Sequence, residues 1–151
     1  MSEEHIEVKI RGLLPAPGGS GVFLEAEQKA ITLFIDPMVT RALQLILNGD
    51  ESPRPLTHDL LFSVFEGVGL KLLQVVIHDC QDEIYYARLH LQQKNELGQS
   101  FLEVDSRPSD AMVMALQCDA PIRVRKEIWD AAEDMKWAMD PLEDPPSETD
   151  T

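Results

Sequence analysis

Two short polar segments of this sequence contain residue types that could bind a phosphate group or a metal ion. The first is RPLTHDLL at residues 54–61, and the second is DSRPSD at residues 105–110. Aspartates can bind a divalent cation, and arginines can pair with the oxygens of a phosphate. The residues that could carry such chemistry are Arg54, Asp59, Asp105, Arg107 and Asp110. The two segments allow a site for phosphoryl chemistry if they meet in the fold.

The same residues also fit a structural role. A proline follows Arg54 and Arg107, and it keeps each arginine in an extended conformation. Thr57 can cap a helix with Asp59 in its first turn, and Asp110 can lie in the first turn of another helix, near the positive end of the dipole. Paired with such carboxylates, the arginines would fasten two helix starts to a sheet. The two roles are compatible, and the sequence leaves both open.

The histidine of the first segment is followed by an acid, as in the His-Asp pair of metal-dependent phosphohydrolases. Adjacent residues of a helix point about 100° apart, so His58 and Asp59 could not both bind one ion without bending the helix start. The other histidines fall on predicted strands or close to the N-terminus: His5, His78 and His90. A phosphohydrolase of that type is not predicted. His58 is left as a hydrogen-bonding residue or a general acid or base.

Motifs for several other classes of enzyme are absent from the sequence. There is no GxGxxG, P-loop, GxSxG or HExxH pattern, which argues against dinucleotide binding, P-loop chemistry, a nucleophile elbow and zincin chemistry. The two cysteines, Cys80 and Cys118, belong to no CxxC or Cys/His cluster. They predict reduced core thiols and no zinc site.

The charge of the chain limits its partners. The formal net charge is −14 over 151 residues, and the nine acids and one lysine of residues 127–151 contribute −8 of it. Because phosphate contacts with basic residues drive most nucleic-acid affinity, any DNA or RNA substrate should bind weakly. No apolar run is long enough to span a membrane, and the segment MSEEHIEVKI does not resemble a signal peptide. We expect a cytoplasmic protein with no membrane partner.

The periodicity of apolar residues predicts seven strands and four helices. The strands are predicted at residues 6–14, 22–27, 30–36, 71–79, 84–92, 100–105 and 121–125. The helices are predicted at residues 36–49, 59–69, 106–119 and 126–139. The third helix is apolar on nearly every side and should be buried, whereas the fourth is amphipathic and should be exposed.

An internal repeat of about 69 residues relates the two groups of three strands. The third strand of each group ends in an aspartate, Asp36 or Asp105, and an alanine follows six residues later, Ala42 or Ala111. The sequence therefore predicts an α+β fold with a duplicated three-strand-plus-helix unit, in which helices pack on a mostly antiparallel sheet. We expect one domain over residues 1–137 and an acidic, disordered tail over residues 138–151.

Three blocks of the sequence resemble the bifunctional nuclease domain of bacteria and plants: RPLTHDLL, VVIHDCQDEIYYARLHL, and EVDSRPSDAMVMAL with APIRV after it. The resemblance runs from about Ile6 to Ile128. It implies a nuclease that acts on both DNA and RNA with the help of Mg²⁺ or Mn²⁺, an α+β fold, and a homodimer. The residues that match the family signatures are Arg54, Thr57, His58, Asp59, Tyr86, Asp105, Arg107, Ser109 and Asp110.

Two functions are compatible with this resemblance. In a nuclease, the expected metal ligands are Asp59, Asp105 and Asp110, and the expected catalytic residues are Arg54, His58, Arg107 and Asp110. The arginines would stabilise the charge of the transition state, and the histidine would be a general acid or base. The alternative is a non-catalytic dimeric binding or regulatory module in which the Arg/Asp cluster is structural. Two observations count for the alternative: the acidic net charge, and Val39 at a position where the family usually carries a glutamate, so that a metal site that used it would lack that ligand here. The nuclease is ranked first because the resemblance covers most of the chain.

Overall fold

The computed structural model describes residues 4–143, with side chains described as far as residue 139. Its strands are β1 (His5–Ala16), β2 (Gly19–Ala26), β3 (Lys29–Ile35), β4 (Leu70–Gln81), β5 (Ile84–Asn95), β6 (Gly98–Ser106) and β7 (Ile122–Arg125). Its helices are α1 (Pro37–Leu47), α2 (Thr57–Gly67), α3 (Pro108–Cys118), α4 (Lys126–Ala131) and α5 (Lys136–Glu143). Among these residues, no helix has both the length and the apolar character needed to cross a membrane.

The seven strands form one sheet in the order β3-β2-β1-β7-β4-β5-β6. Neighbouring strands are antiparallel except β4 and β7, which are parallel. The predicted α+β class is therefore confirmed, with a mixed and mostly antiparallel sheet. Strands β1 to β3 form one meander and β4 to β6 form another, and each meander is followed in the chain by a helix. A duplication of the sequence stays a prediction.

Helix α3 lies at the centre of the core, as its apolar sequence predicts. It contacts α1, α2, β4 and β5. Met112, Val113 and Met114 are each at most 1% exposed, and they belong to the same apolar cluster as the buried strand residues Val75 and Ile77. Burying a side chain of this size contributes about 1.5–3 kcal/mol. This packing fixes where α3 begins, and the polar residues of the second segment lie at that start.

The predicted helix at residues 126–139 is two helices, α4 and α5. Between them, the Asp134 carboxylate accepts hydrogen bonds from the backbone N–H of Lys136, at 3.0 Å, and of Ala30 on β3, at 3.2 Å. The N–H of Met135 donates to the carbonyl oxygen of Ala30 at 2.7 Å. The prediction of one helix was wrong because these bonds to a distant strand hold the backbone extended where helical periodicity alone would continue it.

The C-terminal helices are also less exposed than predicted. Trp129 of α4 is 3% exposed and Met139 of α5 is 1% exposed, so both belong to the core. Helix α5 crosses the domain boundary expected after residue 137, and the chain is helical as far as Glu143. Residues 144–151, the rest of the predicted tail, lie outside the described residues.

Candidate functional site

Helix α1 begins at an aspartate that follows β3 directly. The carboxylate of Asp36 accepts a hydrogen bond from the backbone N–H of Val39 at 3.0 Å, and Pro37 occupies the first helical position. The Thr40 hydroxyl donates to the backbone oxygen of Asp36 at 2.8 Å. An aspartate at the N-cap and a proline after it are a favourable pair for starting a helix. The position of Asp36 at the end of β3 and the hydrogen bond to its Oδ1 together hold the other carboxylate oxygen, Oδ2, beside α3.

Helix α3 begins in the same way at the end of β6, and its N-cap residue is Arg107. Pro108 follows it, and the arginine backbone is extended, with φ −67° and ψ 144°. The Arg107 Nε–H donates to Asp110 Oδ2 at 2.8 Å, and Nη1 donates to Asp36 Oδ2 at 2.9 Å. The guanidinium thus joins the starts of α1 and α3, while 61% of the Arg107 side chain remains exposed.

Helix α2 brings a histidine to the same carboxylate. The side chain of His58 is 13% exposed, and its Nε2 lies 2.9 Å from Asp110 Oδ1. An ionised carboxylate can only accept hydrogen bonds, so Nε2 carries the hydrogen and donates it. His58, Asp110, Arg107 and Asp36 therefore form one continuous chain of contacts, called here the charge network. It connects the first turns of three helices.

The charge network lowers the pKa values of its acids. Burial raises the pKa of Asp110, but the hydrogen bonds from Arg107 and His58 outweigh it, and the pKa lies below its usual value. The pKa of Asp36 is also lowered, chiefly by the backbone N–H of Val39 and then by Arg107. The pKa of Arg107 is raised, first by its hydrogen bond to Asp110. At neutral pH both acids are therefore ionised and the arginine is charged.

Three of the residues predicted from the sequence converge, and three do not join them. His58, Arg107 and Asp110 are in contact. Arg54 lies exposed at a bend before α2, and within residues 4–143 it makes no hydrogen bond or ion pair. Asp105 is exposed on β6, opposite the backbone of β5. Asp36 belongs to the network although it was not among the predicted site residues. Its position at the repeat equivalent of Asp105 was a signal for it.

Asp59 serves the start of α2 and has no part in the charge network. Its Oδ2 accepts from the backbone N–H of Leu56 at 2.7 Å, and its Oδ1 accepts from the side-chain amide of Gln117 on α3. The predicted cap at Thr57 was wrong, because Leu56 is the N-cap residue and Thr57 is the first residue of the helix. Asp59 reaches back over the first turn and takes the capping role.

The carboxylates of this region do not fit the predicted cation site. Each oxygen of Asp36, Asp59 and Asp110 already accepts one hydrogen bond from an N–H group, so only part of its acceptor capacity is left for a cation. Across the described part of the chain, no group of three or more His, Cys, Asp or Glu side chains is placed to hold a metal ion. Asp59, Asp105 and Asp110 therefore do not form a common ligand set.

Two hollows lie on either side of the charge network. A cavity of about 310 Å³ between α1, α2 and α3 is lined by His58 and by the acidic side chains of Asp50, Glu51 and Asp59. A wider groove of about 860 Å³ runs along β3 and the β4–β5 turn and is lined by Arg107. The histidine and the arginine therefore border different hollows. Both hollows have acidic linings, since Asp36, Glu83 and Glu133 line the groove, but the groove also presents the guanidinium of Arg107, which attracts a phosphate.

The fold and the site define an α+β domain in which one network of charged side chains joins the starts of three helices beside an open groove. The chain belongs to the bifunctional nuclease domain family, whose profile matches residues 22–136. It is 31% identical over 126 residues to Uncharacterized protein Rv1829 of Mycobacterium tuberculosis strain H37Rv, a match that covers 81% of this chain and 73% of that protein. It is 29% identical over 115 residues to Bifunctional nuclease 1 of Oryza sativa subsp. japonica, a match that covers 75% of this chain and 34% of that protein.

Proposed function

We propose that this chain is a nuclease that hydrolyses phosphodiester bonds in single strands of DNA and RNA, and that Arg107 contacts the phosphate. The observation that carries the proposal is the position of this arginine. Two carboxylates hold its guanidinium in place, yet the side chain is 61% exposed and borders the 860 Å³ groove. Membership of the family and the similarity to Bifunctional nuclease 1 of rice support the same activity.

The groove has the parts that a single strand of nucleic acid needs. Phe34 is 61% exposed there, and Tyr85 also lines it, so aromatic faces are available for bases to stack on. Arg107 would contact the backbone between stacked bases. Glu83 and Glu133 line the groove as well, and they repel phosphates. We therefore expect weak binding, with unpaired strands preferred because their bases are free to stack.

Hydrolysis adds water across a P–O bond, so that the hydroxyl group goes to phosphorus and the proton goes to the leaving oxygen. In this proposal, the chain stabilises the additional negative charge that develops on the phosphoryl oxygens in the transition state. A guanidinium has five N–H donors, and the acids use two of those on Arg107, so three remain for the phosphate. His58 acts through Asp110 and keeps the arginine oriented. The proposed reaction does not use a metal ion bound by these residues, because the described acidic side chains are not placed to hold one.

A second candidate is a non-catalytic module in which the charge network is a structural lock. This candidate is favoured by the contacts of Asp36 and Asp110, whose oxygens each accept a hydrogen bond from an N–H group within the protein. It is also favoured by the separation of His58 and Arg107 into different hollows, which keeps them from acting on one phosphate. In such a module the network would matter for stability only.

Cleavage of labelled single-stranded DNA and RNA by the purified chain, in Mn²⁺, Mg²⁺ or EDTA, tests the proposal. The variants are Arg107→Ala, Arg107→Lys and the control Arg41→Ala, which removes an exposed arginine of α1 that does not line the groove. We expect Arg107→Ala to lower kcat/KM by roughly 100-fold or more, as for the loss of a donor to a transition-state oxyanion. Arg107→Lys should restore little, because an ammonium cannot donate in the same fork. Arg41→Ala should cleave like the wild type.

The outcomes separate the two candidates. If the wild-type chain cleaves no strand under any of these conditions, while Arg107→Ala lowers the melting temperature, the charge network is a lock and the nuclease proposal fails. If Arg107→Ala cleaves as fast as the wild type, the activity belongs to other residues.

A further inference from the structure

The cavity among α1, α2 and α3 does not border Arg107, and it has the size and the wall of a small-molecule site. Its volume is about 310 Å³, and pockets that bind small molecules begin at about 300 Å³. The apolar wall of the cavity is formed by Ala42, Leu45, Ile46, Leu56 and Val113. Ala42 and Val113 are at most 5% exposed and belong to the main apolar cluster, so the cavity reaches the core. The apolar part of a ligand could therefore be buried there.

The charged part of the cavity wall is acidic. Asp50, Glu51 and Asp59 line it, and no lysine or arginine of the described residues does so. Arg54, the nearest base in the sequence, is exposed and does not line the cavity. A cleft lined by charges of one sign concentrates ions of the opposite sign. The cavity therefore favours a cation over a neutral molecule or an anion.

The end of α1 adds to this preference. Leu45 and Ile46 lie in the last turn of α1, and that turn contains no basic residue. The C-terminal end of a helix carries a partial negative charge, because its last carbonyl groups have no partner within the helix. Asp50 and Glu51 follow that end within four residues. The helix dipole and the two acids thus act in the same direction, and a ligand cation would be stabilised beside them.

Two side chains of the cavity wall contain an acceptor without a donor. Gln117 donates from Nε2 to Asp59, but its Oε1 is buried and has no hydrogen-bond partner among the described residues. His58 donates from Nε2 to Asp110, so the neutral ring leaves Nδ1 as an acceptor. A buried acceptor without a donor is unfavourable. A small rotation of the Gln117 amide, about a torsion that is soft, would turn Oε1 to the cavity. An N–H group of a ligand could then supply the missing hydrogen bond.

We propose that this cavity binds a small organic cation, in which a primary or secondary ammonium group is attached to an apolar body. The ammonium group would donate to the acceptors of His58 and Gln117, with Asp50 and Glu51 supplying the opposite charge. The body would lie against the apolar wall. A bare metal ion is a poorer occupant, because it would leave that wall in contact with water and the described acids form no group that could hold it.

Isothermal titration calorimetry with three molecules that share a phenyl ring and a short chain tests the class of ligand. They are phenethylammonium, the neutral 2-phenylethanol and the anion 3-phenylpropionate. We expect phenethylammonium to bind at least tenfold more tightly than the alcohol, and the anion not to bind, because only the ammonium satisfies both the acids and the acceptors. Equal binding of the ammonium and the alcohol, or no binding of the ammonium at millimolar concentration, would overturn the proposal.

A pair of double variants tests the location. Asp50→Asn with Glu51→Gln keeps the shape of the side chains and removes two charges, so phenethylammonium should bind at least threefold more weakly. The matched control is Asp82→Asn with Glu83→Gln, which removes two adjacent acids of the β4–β5 turn, outside the cavity. It changes the net charge equally and should leave the affinity unchanged. Equal weakening by both double variants would mean that binding follows the net charge only, and it would refute the site.

Nuclear magnetic resonance locates the ligand in the wild-type chain. Addition of phenethylammonium should shift the methyl signals of Val113 and the ring signals of His58, since both side chains line the cavity. The methyl signals of Ile84, which lines the groove instead, should stay in place. Shifts at Ile84 without shifts at Val113 would place the ligand in the groove and contradict the proposal. None of these tests depends on nuclease activity.

Discussion

Replacing Arg107 by alanine should lower the stability of this protein, because one side chain holds the first turns of α1 and α3 together. It makes two ion pairs, at 2.8 Å to Asp110 and at 2.9 Å to Asp36. The arginine is 61% exposed, and the two acids are 33% and 37% exposed, so water screens both pairs. An exposed pair contributes about 0.2–1 kcal/mol. We therefore expect Arg107→Ala, which loses two such pairs, to lower the free energy of unfolding by about 0.4–2 kcal/mol.

The expected change in melting temperature follows from the size of the domain. About 1 kcal/mol corresponds to about 2–4 °C for a chain of this length, so the loss should be about 1–8 °C. Thermal unfolding followed by circular dichroism measures it. Added salt should narrow the gap between the variant and the wild type, because the pairs are accessible to counterions. Arg107→Lys should lose less, because it keeps the charge.

A matched control separates the network from an ordinary surface ion pair. Lys126 and Asp130 form one exposed pair at 2.7 Å within α4. Because water surrounds Lys126 and screens this pair, Lys126→Ala should lower the melting temperature by less than Arg107→Ala does. If Arg107→Ala loses no more than Lys126→Ala does, the charge network does not hold the helix starts together and the reasoning fails.

Three further changes probe the same region and the hairpin beside it. Asp36→Asn keeps a side-chain oxygen that can accept the hydrogen bond at the start of α1, whereas Asp36→Ala loses it. The free energy of unfolding should be a further ~0.5–2 kcal/mol lower for Asp36→Ala than for Asp36→Asn, and equal melting temperatures would show that the cap does not contribute. The pKa of Asp110 is lowered in the folded state, so its contribution to stability is present above about pH 3.9 and is lost as pH falls through the lower folded pKa. The difference in melting temperature between the wild type and Asp110→Asn should therefore close as pH falls below about pH 4. Gly19→Ala would place a Cβ 2.1 Å from the backbone oxygen of Ile35 and should lower the free energy of unfolding by about 1–3 kcal/mol. Gly12→Ala is the control in the same melting assay, because no atom lies within 4 Å of the Cβ that it would add.

Local patterns in the sequence were sufficient for most of the secondary structure. Short apolar patterns, alternating in some segments and continuous in others, located all seven strands, and the apolar run from Ala111 to Leu116 identified a buried helix, because each pattern reflects a face that must leave water. The Arg-Pro pairs marked two helix starts correctly, since proline restricts the residue before it whatever the tertiary context.

The contacts between distant segments could not be predicted from local sequence patterns. Whether His58 meets Asp110, 52 positions away, depends on how α2 crosses α3, and no local pattern records that angle. Asp134 ends one helix and starts another only because Ala30, 104 positions earlier, offers a backbone N–H.

Residue types and spacing alone were enough to establish that this chain is an acidic α+β domain with two polar segments at helix starts. They could not decide which of six charged candidates share a site. Asp59 and Asp110 occupy equivalent positions in the first turns of their helices. However, Asp59 accepts a hydrogen bond from Gln117, whereas Asp110 accepts one from Arg107. The physical reason is that a carboxylate pairs with whichever donor the packing of the helices brings within about 3 Å, and that packing is set by the whole core.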